Sequence, residues 1–418
     1  MIASRVLPVV SLAVLSLLSA CSSAPEVGSA DGRTEEARSA VIRGKSSDGS
    51  QDAVVMLVHY DPAAQGVGSC TGTLLAPNLV LTARHCVADT DEGAACKSDG
   101  TPIAGGVVGK THPASSLYVF TGTQRPNFEG GRVEPDGRGK KIFDDGGKNI
   151  CNHDIALVLL EAPIKDAQIM PVRLESDVTV GELITAVGWG VTDKTTMPQT
   201  RQQRKDVKIT SVGPDDSTRG DVPPNEFEVG EAICSGDSGG PAIAEDTNSV
   251  VGVVSRGGNA SGGDGTDPAS NCIGGTNLYT KISPFKDLLV QAFEAAGAEP
   301  WIEGGPDPRK AKAKEPCSTN DDCRSALCLP DPSADGADTC AEDCSSTQEC
   351  SVEGEVCTTE EDVQICRAPK RTHSTTTTTT CTASAPGGAS AGGGAAAVFG
   401  LLALASLRRK RRSPRRTR

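Results

Sequence analysis

"LVLTARHCVA", residues 79–88, is an apolar run that ends in a small-residue turn, then a histidine beside a cysteine. Arg84 stands directly before them. The chain holds five histidines, at positions 59, 85, 112, 153 and 373, so candidates for a general base are few. Two readings are open: His85 is a catalytic base, or it is an ordinary histidine at a strand end. Other parts of the chain decide between them.

The second informative stretch is "CSGDSGGPA", residues 234–242. Three glycines around one serine do not suit a strand core. They permit a tight turn in which backbone N–H groups point at one spot. Ser238 sits in that turn, its hydroxyl expected to be exposed. A lone serine is a poor nucleophile near neutral pH and needs a base to take its proton. His85 is the natural candidate. Asp154, in "CNHDIALVLL" (residues 151–160), begins an apolar strand, where a carboxylate is costly without a partner. An imidazole N–H is such a partner, and the carboxylate stabilises the imidazolium that forms. The adjacent His153 is a rival base, but its partner would have to be its own sequence neighbour. His59 and His112 lie in no motif and read as surface or satisfied histidines.

From Val41 to about Gly297, short β-rich runs such as "AVVMLVHY", "DIALVLL" and "VVGVVS" alternate with Gly, Pro, Asn and Asp clusters. That texture predicts an all-β barrel or sandwich. One helix is expected to close it. Ser283 can cap, Pro284 fits the first turn, Gly297 ends it, and Phe285, Leu288, Leu289, Ala292 and Phe293 share a face.

Sixteen cysteines point to an oxidising compartment. Arg5 followed by "VLPVVSLAVLSLLSA" reads as an export signal. It ends in "LSAC", residues 18–21, similar to the lipobox of bacterial lipoproteins, which implies acylation of Cys21. The alternative is an ordinary signal peptide cleaved nearby. Residues 22–40 read as a polar tether or pro-segment. Residues 298–316, rich in Pro, Gly and charge, read as a linker. Residues 317–366 hold eight cysteines in two similar units, where four disulfides would replace a missing core. A metal cluster is the rival reading, although the block lacks histidine and any Cys-x-x-Cys pair. Residues 367–386 form a Thr-rich stalk. Residues 387–418 combine a weak apolar helix with a basic tail. With Cys381 ahead of it, this end resembles the C-terminal sorting tag of myxobacterial surface proteins; a plain membrane anchor is the other reading. The net charge is −13 although the last eleven residues carry eight Arg or Lys. Such an acidic body argues against a nucleic-acid partner. The expected location is the cell envelope or the exterior.

His, Asp and Ser in that order, each in its own motif, resemble the chymotrypsin-like (trypsin-fold) serine peptidases across residues 41–297. "LTARHC" matches the family's "LTAAHC" except at Arg84, and "VGWG" (187–190), "VVSRGG" (253–258) and "NLYTKI" (277–282) follow in the family's order. The resemblance implies two six-stranded antiparallel β-barrels, followed here by the small disulfide-rich module. It implies protein or peptide substrates, with no cofactor or metal. Ser238 is then the nucleophile, His85 the base and Asp154 its orienting group, and the N–H groups of Gly236 and Ser238 form the oxyanion hole. It implies the disulfides Cys70–Cys86 and Cys234–Cys272; Cys96–Cys151 follows by elimination. It also implies zymogen cleavage after Ala40, freeing Val41 to pair with Asp237, although Arg43 departs from the family's start. The substrate pocket is expected from Ala232, Ser255, Gly257 and Asn277. Ala232 stands where trypsin-type members carry Asp, which argues against Arg/Lys specificity and for small or medium uncharged residues. Arg256 stands where many members have Trp, giving a polar ledge. A second reading is an inactive peptidase-fold binding protein; it turns on whether Arg84 displaces His85.

Overall fold

The computed structural model describes residues 41–369 apart from 62–65, 129–132, 193–194, 197, 218–220, 260–268 and 361. The expected features at Cys21, Cys381, 1–40 and 371–418 lie outside the described residues. Among the described residues no helix is long and apolar enough to cross a membrane.

Two closed antiparallel barrels carry the chain. The first is built from β1 (Val54–Asp61), β2 (Gly66–Ala76), β3 (Leu79–Thr82), β4 (Leu117–Phe120), β5 (Gly137–Phe143) and β6 (Ala156–Leu160). Its ring order is β5-β6-β3-β2-β1-β4. The second uses β7 (Leu183–Gly188), β8 (Gln202–Val212), β9 (Glu226–Val229), β10 (Pro241–Ala244), β11 (Val250–Gly258) and β12 (Thr276–Lys281). Its order is β8-β7-β10-β11-β12-β9, closed by β8 pairing with β9. The two-residue strand Lys45–Ser46 adds to the β8 edge.

The burial pattern follows from closure. β6 reads "ALVLL" without alternation, and all five residues are buried. One of its faces fills the barrel, while the helix α1 (Lys286–Ala296) lies against the strand. Leu289, Ala292 and Phe293 of α1 join the first barrel's core, although α1 follows the second barrel in sequence. Each such side chain contributes about 1.5–3 kcal/mol by leaving water. The helix start differs from expectation. Ser283 opens a separate 3-10 turn, Ser283–Phe285, and makes no capping bond; Phe285 occupies the N-cap of α1. Gly297 ends the helix at φ +66°, where a left-handed residue returns N–H groups to the last turn.

The segment 298–316, expected as a linker, is docked. Val172 donates its N–H to the Trp301 carbonyl and accepts one from Glu303. Arg173, 8 % exposed, pairs through Nε and Nη2 with both Glu303 oxygens and through Nη1 with Glu182. A Pro- and Gly-rich strap can lie flat where an upstream strand edge offers it partners. Beyond it, two units each hold two interleaved disulfides: Cys317–Cys328 with Cys323–Cys340, and Cys344–Cys357 with Cys350–Cys366. Lys314 joins the units by contacting Asp331 and Glu355.

Candidate active site

His85 follows β3 in a single 3-10 turn, Arg84–Cys86. The Cys70–Cys86 disulfide pins that turn to β2. The next residue on β2, Thr71, donates its N–H to the Ser238 carbonyl at 2.8 Å. One disulfide therefore sets the histidine turn beside the serine turn.

Asp154 lies one residue ahead of Ile155 and β6, with no exposed surface. Its carboxylate accepts three bonds: from His85 N (3.0 Å), from Ser255 Oγ (2.6 Å), and at 2.8 Å it meets His85 Nδ1. Burial alone would raise the carboxyl; His85's charge and these bonds outweigh it and hold Asp154 below the usual value. Burial likewise pulls His85 down, but the attraction and hydrogen bond of Asp154 win and hold the imidazole above 6.5. Nδ1 is thus committed to Asp154, which leaves Nε2 for proton transfer. Ser255, expected in the pocket wall, donates its hydroxyl to Asp154.

Arg84 does not displace His85. Its side chain turns away, where Nη2 donates to Thr111 Oγ1 at 2.8 Å and Nε lies 3.5 Å from Asp144. His153 pairs with Asp145 rather than with Asp154. His59 and His112 stack on each other with ring centroids 3.6 Å apart.

The serine turn holds Gly236 at φ +98°, a conformation open to glycine. Among the described residues, neither the Gly236 nor the Ser238 N–H is taken by a hydrogen bond, and Ser238 and the His85 ring are not bonded to one another. Two unengaged donors flanking a serine can receive an oxyanion. The alignment of serine and histidine commonly tightens only with substrate bound.

Asp237, between those donors, is fully buried. Its oxygens accept from Gly190 N (2.8 Å) and Cys234 N (2.9 Å). A Cβ at Gly188 or Gly190 would collide with this carboxylate, so the glycines of "VGWG" make its chamber. Burial pushes the Asp237 carboxyl up to about 7, and the two N–H groups and the charge of Arg125 only partly pull it back. Val41 and Ile42 are both fully buried, Val41 among Ala232, Ile233 and Tyr279, Ile42 against Cys234 and Cys272. Arg43 is left-handed at φ +59° and reaches Glu231 at 3.2 Å.

The expected disulfides Cys234–Cys272, next to the Ala232 segment, and Cys96–Cys151, next to the Asp154 loop, are both formed. Asn277 Oδ1 accepts from Ala232 N (2.8 Å) and Ile233 N (3.1 Å). Two donors fix the amide's orientation and send Nδ2 towards Gly257, where an added Cβ would meet it. Nδ2 is buried and has no partner among the described residues. Asn277 therefore lies between the Ala232 segment and Gly257 of β11.

Sequence reasoning missed one ion pair. Arg256 meets Glu226, a fully buried carboxylate on β9, with Nη1 2.8 Å from Oε1 and Nη2 2.6 Å from Oε2. The two residues lie thirty positions apart, and nothing local marks Glu226.

Among proteins of known kind, the chain is similar to a trypsin of Saccharopolyspora erythraea, 25% identical over 238 residues, covering 54% of this chain and 87% of that one. It is also similar to the snake venom serine protease serpentokallikrein-2 of Protobothrops mucrosquamatus, 29% identical over 231 residues (52% and 77%). The thrombin-like enzyme elegaxobin-1 of Protobothrops elegans is 29% identical over 269 residues (61% and 98%). The family profile "Trypsin" matches residues 44–289, more than half of the chain. With both barrels closed and a buried Asp154–His85 pair beside the serine turn, the chain belongs to the trypsin family of serine proteases.

Proposed function

We propose that this protein is an exported serine endopeptidase that works through His85, Asp154 and Ser238. The observation that carries the reading is the Nδ1–Oδ2 contact of 2.8 Å between His85 and a carboxylate with no exposed surface. In the proposed cycle Ser238 attacks the peptide carbonyl while His85 Nε2 takes its proton. The imidazolium, stabilised by Asp154, then protonates the leaving amine, and water releases the acyl group by the same route. The N–H groups of Gly236 and Ser238 hold the oxyanion, at about 3–4 kcal/mol per donor.

The chain is proposed to be made as a zymogen cut after Ala40. The support is a buried carboxyl at about 7 together with a buried Val41: an α-ammonium brought to Asp237 would supply the cation that it lacks in hydrogen-bond contact among the described residues. Ala232 and Asn277 support small uncharged residues before the scissile bond, so self-cleavage after Ala40 fits the same pocket. Envelope attachment through Cys21, through the C-terminal tag, or both completes the proposal; the disulfides agree with an oxidising compartment.

A fluorophosphonate probe tests the enzyme. It should label Ser238 after activation and leave a Ser238→Ala variant unlabelled; an activated chain without a Ser238 adduct overturns the reading. Sequencing the N-terminus of Ser238→Ala tests self-cleavage, which normal processing of that variant would exclude.

A further inference from the structure

We propose that the Arg256–Glu226 pair is a positioning device for the catalytic carboxylate, locking it from the second barrel and setting the charge around His85. This rests on the triad reading above.

The contacts run in two lines. Along the first, Arg256 Nη1 lies 3.4 Å from Ser255 Oγ, whose hydroxyl donates to Asp154 Oδ2 at 2.6 Å. Asp154 in turn holds His85. Along the second, Glu226 Oε1 accepts the N–H of Asn152, two residues ahead of Asp154, at 2.9 Å. Asn152 is left-handed at φ +68°, and its side-chain oxygen accepts from Asn225 N at 2.9 Å. Asn225 Nδ2 returns to the Asn152 carbonyl. The loop that delivers Asp154 belongs to the first barrel, yet these three bonds fasten it to the approach to β9 in the second. Its far side is held by Cys96–Cys151.

The pair also has an electrostatic role. Arg256 Nη1 is shared between Ser255 Oγ and Glu226 Oε1, while Nη2 meets Glu226 Oε2. The net field at the triad is small only while both are present. Other charges facing His85 are Asp154 itself and Asp91 and Glu92, which line the cavity of about 210 Å³ beside the ring. Arg84 is turned to Thr111 and Asp144, and His153 to Asp145. Removing one partner of the pair therefore shifts His85 in a direction set by the charge left behind.

The test is the pH profile of kcat/KM for activated enzyme, normalised by fluorophosphonate titration of Ser238. Glu226→Gln keeps an acceptor for Asn152 N but leaves Arg256 uncompensated. It should lower the acid-limb midpoint by about half a unit to one unit. Arg256→Met removes the cation, leaves the Glu226 carboxylate uncompensated and should raise the midpoint by a similar amount. Arg256→Lys should restore the wild-type midpoint. Should Arg256→Met fail to fold, Glu226→Gln and Arg256→Lys still decide. A Glu226→Gln profile that superimposes on wild type, or two single variants that shift the same way, overturns the proposal. Absence of titratable Ser238 in the activated wild type would instead overturn the triad reading.

Discussion

Two carboxylates in this molecule are equally buried and behave in opposite ways. Asp154, at the seam of the first barrel, is held below its usual value by His85 and three hydrogen-bond donors. Asp237, in the second barrel, has two backbone donors and no cation in hydrogen-bond contact among the described residues, and burial carries it to about 7. The difference shows that burial alone does not fix a charge state; the number and charge of the partners do. The first region holds its carboxylate charged with partners the intact chain supplies. The second leaves its carboxylate with a proton up to about pH 7.

The largest test of the contrast is Asp154→Asn. It presents an amide to Nδ1, favours the wrong imidazole tautomer, and should lower kcat about 10⁴-fold with the fold intact. A loss under tenfold would break the assignment. The wild-type acid limb of kcat/KM should have its midpoint above 6.5, because His85 is raised by its pairing.

Asp237 gives the next largest effect, on stability. Its carboxyl is near 3.8 in the unfolded chain and about 7 in the fold, so the native state retains a proton that the unfolded state releases. The contribution is fully present below about pH 4 and is lost as pH rises from there through 7, about 4 kcal/mol in all. Urea unfolding of uncleaved Ser238→Ala across this range should show that fall, and adding Asp237→Asn should flatten it. An unchanged slope would mean that Asp237 is already ion-paired in the precursor.

Asn277→Gly is read on selectivity. Removing the amide should raise kcat/KM for Leu or Phe over Ala at the residue before the scissile bond by about tenfold. No change in that ratio would show that Asn277 does not limit the pocket. Arg84→Met should do least: its guanidinium faces Thr111 and Asp144, so kcat/KM should stay within about threefold, with the pH midpoint unmoved. A larger shift would place its charge in the triad's field after all.

Much of the barrel architecture and the candidate chemistry is legible in the sequence because both impose local rules. A serine turn needs glycines around Ser238, and a carboxylate at the head of "IALVLL" needs a partner. What is not legible depends on distant partners. The direction of Arg84 is set by Thr111 and Asp144, tens of residues away. Glu226 gains its meaning only when β9 comes to lie against Asn152 and Arg256. The strap 298–316 has a linker's composition, and only the edge at Val172 and the cation of Arg173, 130 residues before Glu303, make it a docked element.

That docked strap bears on where the protein can be cut. The family profile's match ends at residue 289, inside α1. A fragment ending there would lose Phe293 from the first barrel's core and strip Val172 of its backbone hydrogen bonds to Trp301 and Glu303. It would also leave Arg173 buried with only Glu182 for company. The shortest piece able to fold on its own therefore runs to about Glu303, and truncations designed on the recognisable segment alone should aggregate rather than report on the peptidase.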